Sequence, residues 1–314
     1  MTKIKEFEAG QRFTIPLLIK DVKNGTTSKG APYLTITAQD NSGTMDGKFW
    51  AVKEEDKAQI KVGEVCLLTF EVLDYNHNLQ LRINHAEALD QATVNLEDYV
   101  IASGLGEKER RNLLKDMIRS IKNENYRKLV YGMLEVVGEK YMTYPAASRI
   151  HHNWMGGLSE HSLSMAQLAD DICKHYPQLN RDLLISGALI HDVGKTAEMS
   201  GPITTEYTLE GKLEGHISLA NGWLTKVAEK EGLADSEEAI LLHHMILSHH
   251  GHLEYGSPVL PLVQEAEVLF LIDNLDARMN VLKQALDSTA PGAFTQKIFA
   301  MDNRCFYKPK QTKE

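Results

Sequence analysis

The chain has 314 residues, 43% hydrophobic and 25% charged, with a formal net charge of −9. That is the balance of a globular protein long enough for two domains, and it excludes a chain coated in basic residues that grips nucleic acid over its whole surface. Three well-separated cysteines, Cys66, Cys173 and Cys305, show no CxxC pairing, which excludes a disulfide framework or a cysteine metal knuckle and fits a reducing cytoplasm.

The first residues lack the apolar core of a signal peptide, and no apolar run reaches membrane-spanning length, so no membrane partner is expected. From about Gln11 to about Leu89 the chain reads as β structure. Runs such as Phe13 to Ile19, Tyr33 to Thr37 and Val65 to Val72 are rich in β-formers, with turns at Asn24-Gly25, Asn41-Ser42-Gly43 and Asn76-His77-Asn78. Five strands fit, with one helix-compatible segment, Lys53 to Ile60, between the third strand near Lys48-Phe49-Trp50 and the fourth. That order is the plan of the OB-fold barrel, used widely for single-stranded nucleic acid and oligosaccharides. Strand binding on such a barrel needs aromatic platforms and basic residues on one face, and the candidates are Tyr33, Lys48, Phe49, Trp50, Tyr75 and Arg82. Each aromatic competes with a core role. Residues 1–95 carry 11 Lys and Arg against 13 Asp and Glu, a balance of −2, so any strand binding there works through a local patch.

Beyond about Gln91 a 3.6-residue period takes over. Glu107 to Ile121 and Asn125 to Tyr141 are predicted helices, and further helices succeed them almost to the end, so the second part is all-α. Of 13 histidines, 11 lie in this helical part. His161 falls on the buried stripe of a helix from Gly157 to Tyr176, in register with Leu158, Met165, Leu168 and Ile172. His191 and Asp192 end the next helix. His216 shares a predicted face with Leu213, Ala220 and Trp223, and His249-His250 close a helix that begins near Ser236. Asp273 stands on the apolar face of a helix from Leu262, where a carboxylate is costly unless paired or metal-bound. A single buried histidine is usually a hydrogen-bonded core residue. Five successive helices that each offer His or Asp at a buried face or helix end are the way a bundle assembles a metal site.

Two cations about 3.5–4 Å apart that share a carboxylate can hold a bridging hydroxide and bind the non-bridging oxygens of a phosphodiester. Asp192 is the expected shared carboxylate. His161, His191 and Asp273 would complete one site, and His216, His249 and His250 the other. Mixed imidazole and carboxylate ligands favour Mn²⁺, Fe²⁺, Co²⁺ or Zn²⁺ over Mg²⁺ alone. Lys195 is expected to contact a phosphate oxygen; its bland alternative is a solvated lysine past a glycine helix cap at Gly194. His151 and His152 either approach the substrate or mark a helix start. Asp276 is expected beside the site rather than in it, His243 and His244 in structural roles, and His252 and Glu254 on a loop.

The order His161, His191-Asp192, Asp273 resembles the signature of the HD-domain metal-dependent phosphohydrolases, with His216 and His249-His250 similar to the extra histidines of their two-metal members. The pairing of an N-terminal OB-fold with such a domain resembles the YhaM-type 3′-to-5′ exoribonucleases, as do three further segments: Gly156 to His161, Gly201-Pro202 to Gly215-His216, and the tail Phe294 to Tyr307 with Asp302-Asn303-Arg304. The resemblance implies a division into an OB-fold nucleic-acid-binding domain at 1–92, a helical connector at 93–140, an HD phosphohydrolase domain at 141–290 and a tail at 291–314. It also implies Mn²⁺ as the favoured metal and attack from the 3′ end of single-stranded RNA, with single-stranded DNA as a further candidate and a homo-oligomer compatible with the chain. Two other functions fit the residues: a nucleotide or cyclic-dinucleotide phosphodiesterase whose barrel serves assembly, and a non-catalytic nucleic-acid-binding protein with a structural metal.

Overall fold

Backbone order in the chain obeys two side-chain periods, one per unit. The computed structural model describes residues 2–75, 78–95, 98–101, 104–147, 154–203 and 205–310, and it divides into two compact units, Met1–Ala102 and Ser103–Glu314. Asn76, His77, His151 and His152 lie outside the described residues.

The first unit is a closed five-stranded barrel of β1 (Arg12–Thr26), β2 (Pro32–Asp40), β3 (Gly43–Trp50), β4 (Val65–Tyr75) and β5 (Asn78–Ala88), with α1 (Glu54–Gln59) between β3 and β4. The strands run in the order β1-β2-β3-β5-β4 around the barrel. β1 makes closure possible. Its first half pairs with β4 from Arg12 to Leu18 and its second with β2 from Leu18 to Thr26, with a register shift between Ile19 and Asp21 that bends the strand from one partner to the other. The period-2 alternation puts Leu34, Ile36 and Ala38 of β2 and Cys66, Leu68, Phe70 and Val72 of β4 into the core. Each fully buried aliphatic or phenyl side chain contributes about 1.5–3 kcal/mol. Asn24-Gly25 is not a turn: both residues are inside β1, and Gly25 faces Tyr33, whose ring would stand 2.3 Å from any Cβ. The glycine there supplies room for an aromatic.

The second unit is helical: α2 (Glu107–Ser120), α3 (Glu124–Val137), α4 (Lys140–Thr143), α5 (Gly157–His175), α6 (Arg181–Ile190), α7 (Lys195–Glu198), α8 (Leu209–Leu213), α9 (Gly215–Lys230), α10 (Glu237–Ser248) and α11 (Gln264–Asp287). Side-chain caps start four of them, and Thr208 before α8 accepts from the amide of Gly211. Asn123 accepts from the amides of Asn125 and Tyr126, Asn180 from Leu183, and Ser236 from Ala239. The helix expected from Asn125 to Tyr141 is two helices, because Gly138 adopts φ +55°, a left-handed turn that only glycine makes at little cost, and α4 restarts beyond it. At the centre lies α6, buried on all sides from Leu183 to Ile190 and packed against α3, α5, α10 and α11. A helix apolar all round must be the core of its unit, so the residues just beyond its last turn emerge in the middle of the bundle. Those residues are His191 and Asp192. No helix among the described residues is long and apolar enough to cross a membrane.

Candidate metal centre

Five helices deliver the histidines and carboxylates to one place. His161 comes from the second turn of α5, where it is fully buried, and His191 caps α6 with Asp192 beside it. His216 sits in the first turn of α9, His249 caps α10 with His250 next to it, and Asp273 lies in mid-α11. The expected face of His216 with Leu213 does not exist, since Leu213 ends the separate α8 and is 77% exposed. The carboxyl ends of α6 and α10 both converge here, and the negative ends of two helix dipoles favour a cation.

Asp192, 1% exposed, stands between two groups of histidines. Its Oδ2 lies 3.4 Å from His191 Nε2 and 3.8 Å from His161 Nε2, while its Oδ1 lies 3.5 Å from His216 Nε2 and 3.6 Å from His249 Nε2. Asp273 Oδ1 approaches His161 Nε2 at 3.2 Å. The donor atoms of His161, His191 and Asp192 all fall within 4.8 Å of one another, as do those of His216, His249 and His250.

The far side of each imidazole decides what the near side can do. Nδ1 of His191 donates to the Ala188 carbonyl at 3.0 Å, that of His249 to Ile246 at 2.7 Å and that of His250 to Tyr255 at 2.8 Å. A carbonyl oxygen only accepts, so the proton is on Nδ1 and Nε2 presents a lone pair. His216 Nδ1 meets Glu198 Oε1 at 3.0 Å, and His161 Nδ1 meets Asp276 Oδ2 at 2.7 Å. Nε2 of His191, His216 and His249 and Oδ1 of Asp192 are buried without a hydrogen-bond partner among the described residues. Lone pairs of imidazole and carboxylate therefore face one another across gaps of about 3.5 Å, an arrangement that is repulsive unless a cation lies between them. The residues fit divalent metal, and the two groups fit two ions that share Asp192.

Charge is set accordingly. Burial opposes ionisation of Asp192, but the Lys195 ammonium holds its carboxyl well below the usual carboxylate range. Lys195, mostly buried, would be lowered by its surroundings but is raised by Asp192, whose Oδ2 accepts from its Nζ at 2.6 Å. Burial lowers the imidazoles of His249 and His250 and keeps them neutral, as ligands must be. Lys195 is not a solvated residue beyond a glycine cap. Gly194 has ordinary right-handed helical torsions, and its missing side chain serves another purpose: a Cβ there would stand 2.0 Å from the carbonyl oxygen of His216.

Glu198 escapes sequence reasoning. It is a 9%-exposed carboxylate three residues beyond Lys195 that accepts from both the backbone amide and the ring of His216. An acidic residue in the turn after Asp192 is the one available signal. Asp276 lies beside the centre as expected and also accepts from Ser164 Oγ at 2.6 Å. His243 bonds Asn221 and His244 accepts from the Leu262 amide, both away from the centre. His252 is exposed, edge-on to Tyr255 and Phe270, and Glu254 is exposed in the adjoining turn.

The barrel carries a second cluster of candidates. A cavity of about 330 Å³ is lined by Lys48, Trp50, Tyr75 and Arg82, among others. Trp50 is 47% and Tyr75 63% exposed, Tyr33 packs on Trp50 at 4.8 Å between centroids, and Lys48 Nζ stands 5.0 Å above the Tyr33 ring. Two of the sequence candidates fall away from a free binding face. Phe49 points into the core, because strand alternation sends it opposite to Trp50, and the Arg82 guanidinium is paired with Glu71.

The HD domain family matches residues 158–278, which span every member of the centre from His161 to Asp276. A 3′-5′ exoribonuclease YhaM from Geobacillus sp. (strain WCH70) is 39% identical over 307 residues, covering 98% of this chain and 94% of the relative. The second OB-fold domain of replication protein A from Methanococcus maripaludis, solved by solution NMR, overlaps 30% of this chain and 98% of its own at 16% identity and a TM-score of 0.24; at that score it adds nothing to what the barrel's own strand order shows.

Proposed function

The chain belongs to the YhaM family of 3′-5′ exoribonucleases, and from that premise we propose that it removes nucleoside 5′-monophosphates in succession from the 3′ end of single-stranded RNA, with two divalent metals at the centre. One observation carries the reading: each oxygen of Asp192 faces imidazole Nε2 atoms, Oδ2 those of His161 and His191 and Oδ1 those of His216 and His249. His161, His191, Asp192 and Asp273 would hold one metal, and Asp192, His216, His249 and His250 the other. When bound, the ions supply Lewis acidity at the phosphodiester and acidify water at neutral pH. Imidazoles beside carboxylates suit Mn²⁺, with Co²⁺, Fe²⁺ or Zn²⁺ as competitors.

The chain's own groups do the rest. Lys195, charged at neutral pH, offers Nζ to a non-bridging phosphate oxygen and stabilises the negative charge that develops there. Glu198 and Asp276 fix the rings of His216 and His161 so that the ligand nitrogens need no reorganisation. A centre enclosed by five helices takes a chain end more readily than the middle of a strand. On the barrel, Trp50 and Tyr75 are platforms for bases, with Tyr33 and Lys48 behind them; the Glu71 partner of Arg82 makes stacking, rather than charge, the main contribution. Every base has a π-face on either sugar, so this surface also suits single-stranded DNA. A reducing cytoplasm suits Cys66 and Cys173, which are buried as free thiols.

The test uses a 5′-labelled single strand with Mn²⁺, RNA beside DNA. A ladder that shortens stepwise towards the label is expected, with duplex ends resisting and a covalently closed circle left intact. Cutting of the circle, or release of the labelled nucleotide first, would refute the polarity. Hydrolysis of cyclic dinucleotides with untouched strands would select the small-molecule reading instead.

A further inference from the structure

Beside the metal centre lies a cavity of about 330 Å³ whose walls differ in chemistry. Its lining combines the polar Lys195, His250, Asp273 and Asn274 with the aromatic Tyr255 and Phe270. Its size lies within the ~300–1,000 Å³ typical of small-ligand sites. Tyr255 is 61% exposed, so much of its ring is open to a ligand in this cavity. Phe270, by contrast, is pinned. Gly251 leaves the space its ring occupies, since a Cβ there would stand 2.3 Å from Phe270 Cδ2, and His252 stands edge-on to both Phe270, at 5.3 Å between centroids, and Tyr255, at 5.0 Å. The Tyr255 carbonyl accepts the Nδ1 hydrogen bond of His250 at 2.8 Å, which ties this aromatic residue to the centre through its backbone rather than its ring.

We infer that this cavity seats the 3′-terminal nucleoside of the strand, its base stacked on Tyr255 with Phe270 as the fixed back wall, while Lys195 and the metal ligands face the phosphate. The inference rests on the exonuclease reading and deepens it by assigning the terminal base to a stacking wall. Such a wall accepts all four bases, because stacking engages the π-face and not the hydrogen-bonding edge. That suits an enzyme that must remove each nucleotide it meets.

Two RNA strands test it, alike except that one ends in a stable abasic analogue at its 3′-terminal nucleotide. Base–aromatic stacking of the usual strength is worth roughly 5- to 150-fold, so the wild-type chain should remove the abasic end with kcat/KM lower by a factor in that range. Tyr255→Ala should lose as much on the ordinary strand and nothing further on the abasic one, and Tyr255→Trp should restore the difference. Equal wild-type rates on the two strands would overturn the inference. So would a loss in Tyr255→Ala that is the same on both strands, since that result assigns Tyr255 to holding His250. Circular dichroism and bound-metal content of the variants, expected to match the wild type, guard against misfolding; if Tyr255→Ala lost either, the wild-type comparison of the two strands alone would decide. A wild-type chain that degrades neither strand would sink the exonuclease reading itself, a result distinct from the others.

Discussion

His161 Nδ1 stands 2.7 Å from Asp276 Oδ2, on a carboxylate 115 residues further along the chain. That bond turns the other ring nitrogen towards Asp192 and Asp273. Asp276 is thus a positioning residue, and Asp276→Ala should weaken metal binding about 10- to 100-fold, the usual cost of removing such a partner. Calorimetric titration with Mn²⁺ checks it; unchanged affinity with reduced turnover would place Asp276 on the substrate instead.

The carboxylates around His161 also predict a pH dependence. Burial would lower the His161 imidazole, but hydrogen bonds to Asp273 and Asp276 outweigh it and push its pKa up to about 10. Because this folded-state value lies above the unfolded value of about 6.5, its stabilisation of the metal-free chain is complete below about pH 6.5 and is lost as pH rises through about 10. A metal must displace the Nε2 proton, so metal affinity should rise over that window. Thermal unfolding in chelator should show a midpoint falling with pH where the metal-loaded chain's does not.

Asp192 is shared by both halves of the centre, and Lys195 is bound to one of its oxygens. Asp192→Ala should therefore lower hydrolysis by at least about 10³-fold with helical circular dichroism retained, whereas Lys195→Ala should cost about 10²-fold with metal still bound. Wild-type turnover in Asp192→Ala would end the two-metal assignment. Loss of folding alone in Lys195→Ala would make the lysine structural.

Gly194→Ala gives a test that touches no ligand side chain. Its Cβ would be forced to within 2.0 Å of the His216 carbonyl oxygen, so the start of α9 must move. Overpacking of this kind costs about 1–3 kcal/mol, and urea unfolding of the metal-free chain should show it. The metal on the His216 side should be lost before the other.

On the barrel, Trp50→Ala should weaken binding of a long single strand roughly 5- to 150-fold while leaving hydrolysis of a small activated phosphodiester untouched. Fluorescence anisotropy with a labelled strand measures the first. If strand affinity holds, the platform is elsewhere.

Periodicity is the part of this fold that the sequence makes legible. Buried polar residues on apolar stripes or at helix ends, such as His161, His191 and Asp273, can be found because a polar residue on an apolar face is conspicuous. Their partners cannot. Glu198 and His216 are 18 residues apart and meet only because α8 and the turn before α9 fold back, which no local pattern reports. Glycines mislead for a related reason: turn and cap preferences offer themselves at Gly25 and Gly194, yet each is small because another segment, Tyr33 or the His216 backbone, passes close by. Arg82 has the look of a free positive charge in the sequence, but its neutralising partner, Glu71, is on the adjacent strand.

The ligands also have an order in time. A growing chain emerges with its barrel first, then His161, then His191-Asp192, and α11 with Asp273 last. Until α11 has left the ribosome, His161 has no Asp273 beside it and α6 lacks one of its packing partners. A chain still being translated thus has all five strands of its barrel while the carboxylate that stands 3.2 Å from His161 Nε2 is still missing.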